Sequence, residues 1–171
     1  MIKSRVKKPA SIIEKLKRRG YPLTIQSIVE NLDDVAGVRV ICSFLDDIYT
    51  VAEMLARQDD VKVLMVKDYI RCPKVNGYRS YHMIIEIPVY FSDRKQNIRV
   101  EVQIRTIAMD FWASLDHQMK YKKNLDDSGE ISEELRECAE TIAQTDMRML
   151  NIRKKIEERE SPDMLLQFDK D

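Results

Sequence analysis

Apolar positions change their spacing along this chain, and each change marks an element. Residues 9–19 read as a helix: Pro9 suits a first-turn position, Ile12, Ile13 and Leu16 form a stripe, and Gly20 supplies a stop. Residues 21–31 are ambiguous, with a short helix over Thr24–Glu30 as one reading. Val38–Phe44 is a compact run rich in β-branched residues and predicts a buried strand. Asp46 or Asp47 caps a helix reaching about Gln58, and Val61–Val66 predicts another strand. Pro73 and Gly77 mark Asp68–Gly77 as a loop. Tyr78–Phe91 and Ile98–Arg105, joined by the polar turn Ser92–Gln96, predict two strands paired antiparallel. Thr106 opens a helix to about Tyr121, Lys122–Glu130 is a polar loop, and Ser132–Glu158 is one long helix ahead of a loose tail at 161–171. In that helix Leu135, Cys138, Ile142, Met149, Ile152 and Ile156 keep a three-four spacing, which suits either a partner helix or the protein's own core. The order of elements predicts an α+β fold, a mixed and mostly antiparallel sheet flanked by helices, with a long C-terminal helix.

A length of 171 residues makes one domain the default, and 44% hydrophobic with 34% charged residues is a globular composition. The 29 basic and 29 acidic residues cancel, so bulk charge gives no argument for a nucleic-acid partner. The first twenty residues are different: Lys3, Arg5, Lys7, Lys8, Lys15, Lys17, Arg18 and Arg19 stand against Glu14 alone. Such a basic end on a neutral protein points to a local anionic ligand. Three cysteines at irregular spacing make neither a disulfide framework nor a zinc motif, and a reducing cytoplasm suits them. No apolar run approaches membrane-spanning length, and no signal peptide is expected.

Alternation along the two paired strands puts Tyr78, Ser80 and His82 on one face of the first, and Glu101, Gln103 and Arg105 on one face of the second. Val100, Val102 and Ile104 take the opposite face. A surface of Glu, Gln and Arg makes a poor core and a good site, although a solvated sheet face would look the same. Lys67, Asp68, Lys74 and Asn76 lie just upstream. No glycine-rich phosphate loop is present, so side-chain cations would have to hold any nucleotide phosphates. The segment Arg5-x-Lys7-x-x-x-Ser11-x-x-x-Lys15 supplies them, and Lys7, Ser11 and Lys15 are spaced as one face of a helix, a plausible triphosphate cradle. On spacing alone, a solvated basic helix is the plainer reading. Asp34 precedes the buried strand, where a carboxylate can reach a metal or equally cap a turn; as a metal ligand it pairs naturally with Glu101, since Mg²⁺ takes one or two protein carboxylates plus substrate phosphates.

The run Lys67-Asp68-Tyr69-Ile70-x-x-Pro73-Lys74-x-Asn76-Gly77-Tyr78-x-Ser80-x-His82, followed by Glu101-Val102-Gln103-Ile104-Arg105-Thr106, resembles the synthetase signature of the RelA/SpoT family. The Arg5-x-Lys7-x-x-x-Ser11-x-x-x-Lys15 and Asp34-x-x-Gly37-x-Arg39 segments match the same family, as does Trp112-Ala113 with His117 following. The resemblance covers residues 2–123 and is nearest to the small, single-domain alarmone synthetases. It implies a nucleotidyltransferase-like fold and transfer of pyrophosphate from ATP to the 3′-hydroxyl of GDP or GTP. It also implies a division into a catalytic domain, 1–125, and a helical extension, 126–171, packed on that domain or in an oligomer interface.

By the resemblance, Arg5, Lys7, Ser11 and Lys15 would hold the ATP phosphates, helped by Arg18 or Arg19 and by Arg39. Asp34 would bind Mg²⁺, and Glu101 would activate the acceptor hydroxyl and touch the metal. Tyr78 would stack on guanine, Lys67, Lys74, Asn76 and His82 would bind the acceptor and its phosphates, and Gln103 and Arg105 would support that side. Small members of the family form tetramers through terminal helices and usually carry helices ahead of the Arg-x-Lys segment, so a homotetramer and a shortened N-terminus are expected. Two histidines cannot build the hydrolase site of the long members, so product degradation is not expected. Two alternatives stay open: the same transfer to an adenine nucleotide or an RNA 3′ end, and a non-catalytic nucleotide- or RNA-binding module.

Overall fold

The computed structural model describes residues 1–122 and 129–165. In chain order the elements are β1 (Ile2–Val6), α1 (Pro9–Arg19), α2 (Ile25–Asn31), β2 (Ala36–Cys42), α3 (Leu45–Ala56), β3 (Lys62–Asp68), β4 (Tyr81–Tyr90), β5 (Lys95–Thr106), α4 (Ile107–Lys122) and α5 (Gly129–Leu165). The five strands lie in the order β1-β2-β5-β4-β3. Among the described residues only β2 and β5 run parallel; β1–β2, β5–β4 and β4–β3 are antiparallel. This is the mixed, mostly antiparallel sheet that the pattern predicts.

Local chemistry sets most of the ends. Pro9 opens α1, and Gly20, at φ 71°, closes it with its N–H on the Leu16 and Lys17 carbonyls. Thr24 caps α2 through its hydroxyl, which accepts from the Ser27 N–H at 3.1 Å. In α3 the cap differs from the expectation: Phe44 is the N-cap residue, and Asp47 reaches back to accept its N–H at 3.0 Å. Thr106 ends β5 and starts α4, its Oγ1 accepting from the Met109 N–H at 3.1 Å. The β4–β5 hairpin pairs Ile87 with Ile98 and Tyr90 with Lys95, as the antiparallel reading requires.

Three expectations need correction. Residues 2–6 form a strand that pairs with β2, so Arg5 lies on a sheet edge rather than a helix. Lys7 sits between the two elements, its N–H on the Val35 carbonyl at 2.8 Å. The strand expected from Tyr78 begins at Tyr81, because Gly77 takes φ 82° and bonds back to the Lys74 carbonyl. Tyr78 is therefore a loop residue, and Ser80 is fully buried with its hydroxyl on the Ile104 carbonyl at 3.3 Å. The last helix runs on through Leu165, past the expected start of the tail; the rest of the tail and most of the expected loop at 122–130 lie outside the described residues.

One sheet face is apolar. Met83, Ile85, Val100, Val102 and Ile104 pack there with Ile48 and Ala52 of α3 and Met109 of α4. Burying such side chains contributes about 1.5–3 kcal/mol each relative to exposure. The other face carries His82, Glu101, Gln103 and Arg105, so alternation along β4 and β5 separates core from polar face.

Helix α5 has two apolar stripes where one was expected. The inward one comprises Leu135, Ala139, Ile142, Ala143 and Leu150, with the buried Asp146 in its midst. The outward one comprises Cys138, Thr145, Met149, Ile152 and Ile156, all exposed. Polar fasteners hold the inward stripe: the Trp112 indole N–H on the Leu135 carbonyl at 3.0 Å, the Thr106 hydroxyl on Asp146 at 2.6 Å, and Arg153 on Asp46 and Asp47. A small alanine and a buried aspartate on the inward face are what hydropathy spacing overlooks.

Candidate active site

Three adjoining cavities open on the polar side of the sheet, of about 300, 760 and 510 Å³. Arg5 lines all three, which makes the β1 edge their common wall. The first is lined by Asp34, Arg39, Glu101 and Gln103; the second by Lys7, Lys8 and Ser11; the third by Tyr78, Arg105 and again Arg39. His117 and Gln118 of α4 close the last two.

Lys7 and Lys15 both reach Asp34 Oδ2, each at 2.7 Å. Lys7 and Lys15 therefore converge from two elements rather than along one helix face: Lys7 arrives from the β1–α1 junction, Lys15 from the middle of α1. Burial would raise the Asp34 carboxyl, but the hydrogen bonds and charges of Lys15 and Lys7 outweigh it and hold the group below its ordinary value. The other oxygen, Oδ1, is buried and has no hydrogen-bond partner among the described residues. A buried carboxylate oxygen of this kind beside a second carboxylate, Glu101, suits a hard divalent cation. Among the described residues no cluster of three or more His, Cys, Asp or Glu could hold a metal, so substrate oxygens would have to complete its shell.

Five side chains form a closed hydrogen-bonded ring. Arg105 donates from Nη2 to the Tyr78 hydroxyl at 2.8 Å and to Gln103 Oε1 at 2.6 Å. Gln103 donates to Glu101 Oε2 at 2.9 Å, Glu101 Oε1 lies 3.3 Å from His82 Nδ1, and His82 Nε2 lies 2.9 Å from the Tyr78 hydroxyl. The Tyr78 hydroxyl thus accepts from Arg105 and shares a second hydrogen bond with His82 Nε2, while His82 Nδ1 faces Glu101. The hydrogen bond from His82 is the largest influence on Glu101; against the opposing effect of burial, and with help from Gln103, it holds the carboxyl below its ordinary 4.5. Glu101 is thus ionised at neutral pH and fixed at both oxygens. Burial pushes the Tyr78 phenol up, with the Arg105 charge opposing.

Around this ring sits the loop before β4. The Asn76 side chain accepts from the Tyr78 N–H at 3.3 Å, an Asx turn that shapes the loop. The Lys74 ammonium lies 4.8 Å from the centroids of both Tyr78 and Tyr69. Lys67 is exposed and stands opposite His82 in the β3–β4 register. Arg18 and Arg19 are exposed on the last turn of α1 and line none of the three cavities, so the structure does not bring them to the others. Sequence reasoning missed Asp110, which binds Arg39 at 3.2 Å and Arg105 at 3.3 Å and so ties the two cations together. It stands one turn into α4, four residues after the Thr106 cap, where a helix-start reading could have flagged it. Tyr69, edge-on to Tyr78 and His82, was also overlooked as a ring partner.

Residues 4–126 match the region found in RelA / SpoT proteins. The GTP pyrophosphokinase YwaC of Bacillus subtilis is 49% identical over 91% of this chain and 74% of its own. Among solved structures, small alarmone synthetase 2 of B. subtilis superimposes with a TM-score of 0.83 at 48% identity, covering 91% of this chain and 80% of that one. Small alarmone synthetase 1 of B. subtilis, bound to its product pppGpp, gives 0.83 at 38% identity over 91% and 78%. With this agreement in sequence, fold and length of match, the chain belongs to the RelA/SpoT family.

Proposed function

We propose that this chain transfers the β,γ-pyrophosphate of ATP to the 3′-hydroxyl of GDP or GTP, making guanosine tetra- or pentaphosphate. The observation that carries this reading is the ring joining Tyr78, a stacking surface for a base, to Glu101, a carboxylate fixed beside the Asp34 cavity. Phosphoryl transfer needs positioning and charge neutralisation more than covalent help. Arg5, Lys7, Ser11, Lys15 and Arg39 form the cationic side for ATP, and Lys67, Lys74, Asn76, Tyr78 and His82 the acceptor side, with Gln103 and Arg105 supporting it. Glu101 accepts the proton of the 3′-hydroxyl as its oxygen bonds to the β-phosphorus; the bond to the α-phosphate oxygen breaks, and AMP leaves. Asp34 Oδ1, with Glu101, would hold Mg²⁺, which when bound supplies charge neutralisation at the triphosphate. Lys7 and Lys15 exchange their internal carboxylate partner for phosphate oxygens when ATP arrives.

Radiolabelled ATP incubated with Mg²⁺ and each candidate acceptor tests the reading by product separation. Label appearing on GDP or GTP supports it; label only on an adenine nucleotide or RNA, or none at all, rejects it. In the same assay Tyr78→Ala is expected to weaken the acceptor by about 1–3 kcal/mol, the size of one base stack, with little effect on ATP. Equal losses for both substrates would contradict the assignment.

We also place the chain in a homotetramer, in the cytoplasm, with residues 1–125 as the catalytic part. The outward stripe of α5 supports the assembly: Met149, Ile152 and Ile156, 44–51% exposed, follow Cys138 and Thr145 at heptad-like intervals. A second copy would cover them. Because these residues face away from the fold, Met149→Glu with Ile152→Lys is expected to dissociate the oligomer without lowering the melting temperature. Light scattering and thermal melts check this; a monomeric native chain, or a variant that unfolds, refutes it. Free thiols at Cys42, Cys72 and Cys138 suit the cytoplasm, and no helix among the described residues is long and apolar enough to cross a membrane.

A further inference from the structure

The loop that carries Lys74, Asn76 and Tyr78 rests directly on α5. Gly77 is buried, and a Cβ added there would lie 2.5 Å from Ala139 Cβ and 3.3 Å from Arg136 Cα, so loop backbone meets helix with nothing between. Two residues on, Arg79 reaches across. Its Nη1 donates to the Ala139 carbonyl at 2.9 Å and its Nη2 to Glu140 at 3.1 Å. The Arg79 side chain is 15% exposed, which makes this a sheltered fork rather than a surface ion pair. Tyr78 lies between these two anchors, and from the other side Trp112 packs near it, ring centres 6.5 Å apart, with its indole N–H on the Leu135 carbonyl of the same helix. Three contacts from α5 therefore frame the stacking residue. The partners of Arg79 at 139 and 140 lie beyond the family-matched segment 4–126. None of these contacts touches β1, α1 or Asp34, where the ATP cations gather.

We infer that Arg79 is a positioning residue for the acceptor nucleotide: it pins the loop to α5 so that Tyr78 is presented to the base and its hydroxyl to the ring that holds Glu101. This rests on the reading of Tyr78 as the acceptor stack. Helix α5 is then a wall of the acceptor site as well as a cover for the core.

Steady-state kinetics with ATP and GDP varied separately test this. Arg79→Met, which keeps the side chain's bulk and removes its donors, is expected to raise the acceptor KM about tenfold, the scale of one lost hydrogen bond to a charged group. The KM for ATP should stay unchanged, and Arg79→Lys should recover part of the loss. Product formation by the native chain in the same assay separates the two claims: without it the transfer reading falls. With it, an unchanged acceptor KM in Arg79→Met, or two KM values rising together, overturns the inference. Should Arg79→Met fail to give a folded melt, Glu140→Lys decides, since Glu140 is 54% exposed and its side chain is not part of the core. Repulsion across the fork then raises the acceptor KM if Arg79 positions the loop, and leaves it unchanged if not.

Discussion

Glu101→Gln is expected to lower turnover by on the order of 10²–10⁴ while leaving ATP binding nearly intact. The amide cannot take the proton of the acceptor hydroxyl. It also fits the ring badly: Glu101 accepts from His82 at one oxygen and from Gln103 at the other, and an amide accepts at only one. If Gln103 turns over to accommodate the new N–H, it gives up its contact with Arg105. The acceptor KM should therefore rise modestly alongside the collapse in kcat. Single-turnover assays with labelled ATP, together with titration of ATP binding, check both parts. A variant working at the native rate removes Glu101 from the chemistry.

Asp34→Asn is expected to lower turnover by on the order of 10³, the weight of several kcal/mol of charge stabilisation at a transferring phosphoryl group, with partial recovery at high divalent metal. A second effect has the opposite sign. Lys7 and Lys15 lose the carboxylate that neutralises them, so ATP should bind more tightly than to the native chain when metal is withheld. Calorimetric titration in chelator checks that sign, and equal or weaker binding would show that the two lysines do not face the phosphates. Stability should shift as well. The folded carboxyl lies below its ordinary value, so its contribution is present at neutral pH and is lost as pH falls through that depressed value. The native chain should melt above Asp34→Asn at pH 7, and the gap should close in acid.

Much of the fold was legible where periodicity was long and uninterrupted. The β4–β5 hairpin and the split between Val100, Val102, Ile104 and Glu101, Gln103, Arg105 followed from alternation alone. The bounds of α1 followed from Pro9 and Gly20. Residues 2–6 were not legible as a strand, because the alternation of Ile2, Ser4 and Val6 with Lys3 and Arg5 is short and every position is exposed; pairing with β2 decides it. Tyr78 was misplaced by three residues of strand because one positive φ at Gly77 outweighs the apolar run behind it. At the candidate site, residue types pointed to nucleotide chemistry, and the family signature supplied the roles. Asp110 and Arg79 were invisible, since each matters through partners distant in sequence: Arg39 for the one, Ala139 and Glu140 for the other.

The single parallel pairing in the sheet sets when this chain can become an enzyme. Gly37 pairs with Glu101 and Arg39 with Gln103, so the carboxylates of the proposed centre meet only after the polypeptide between them has doubled back through two further strands. Closing so long a loop is entropically slow, and local turns and helices form well before it. A nascent chain released only as far as β4 holds the basic N-terminal segment and the Asn76–Tyr78 turn, yet it has no strand to set between them. Catalytic competence thus waits on β5: until that strand is seated, Glu101 cannot stand beside Asp34, and a chain without it is expected to be silent.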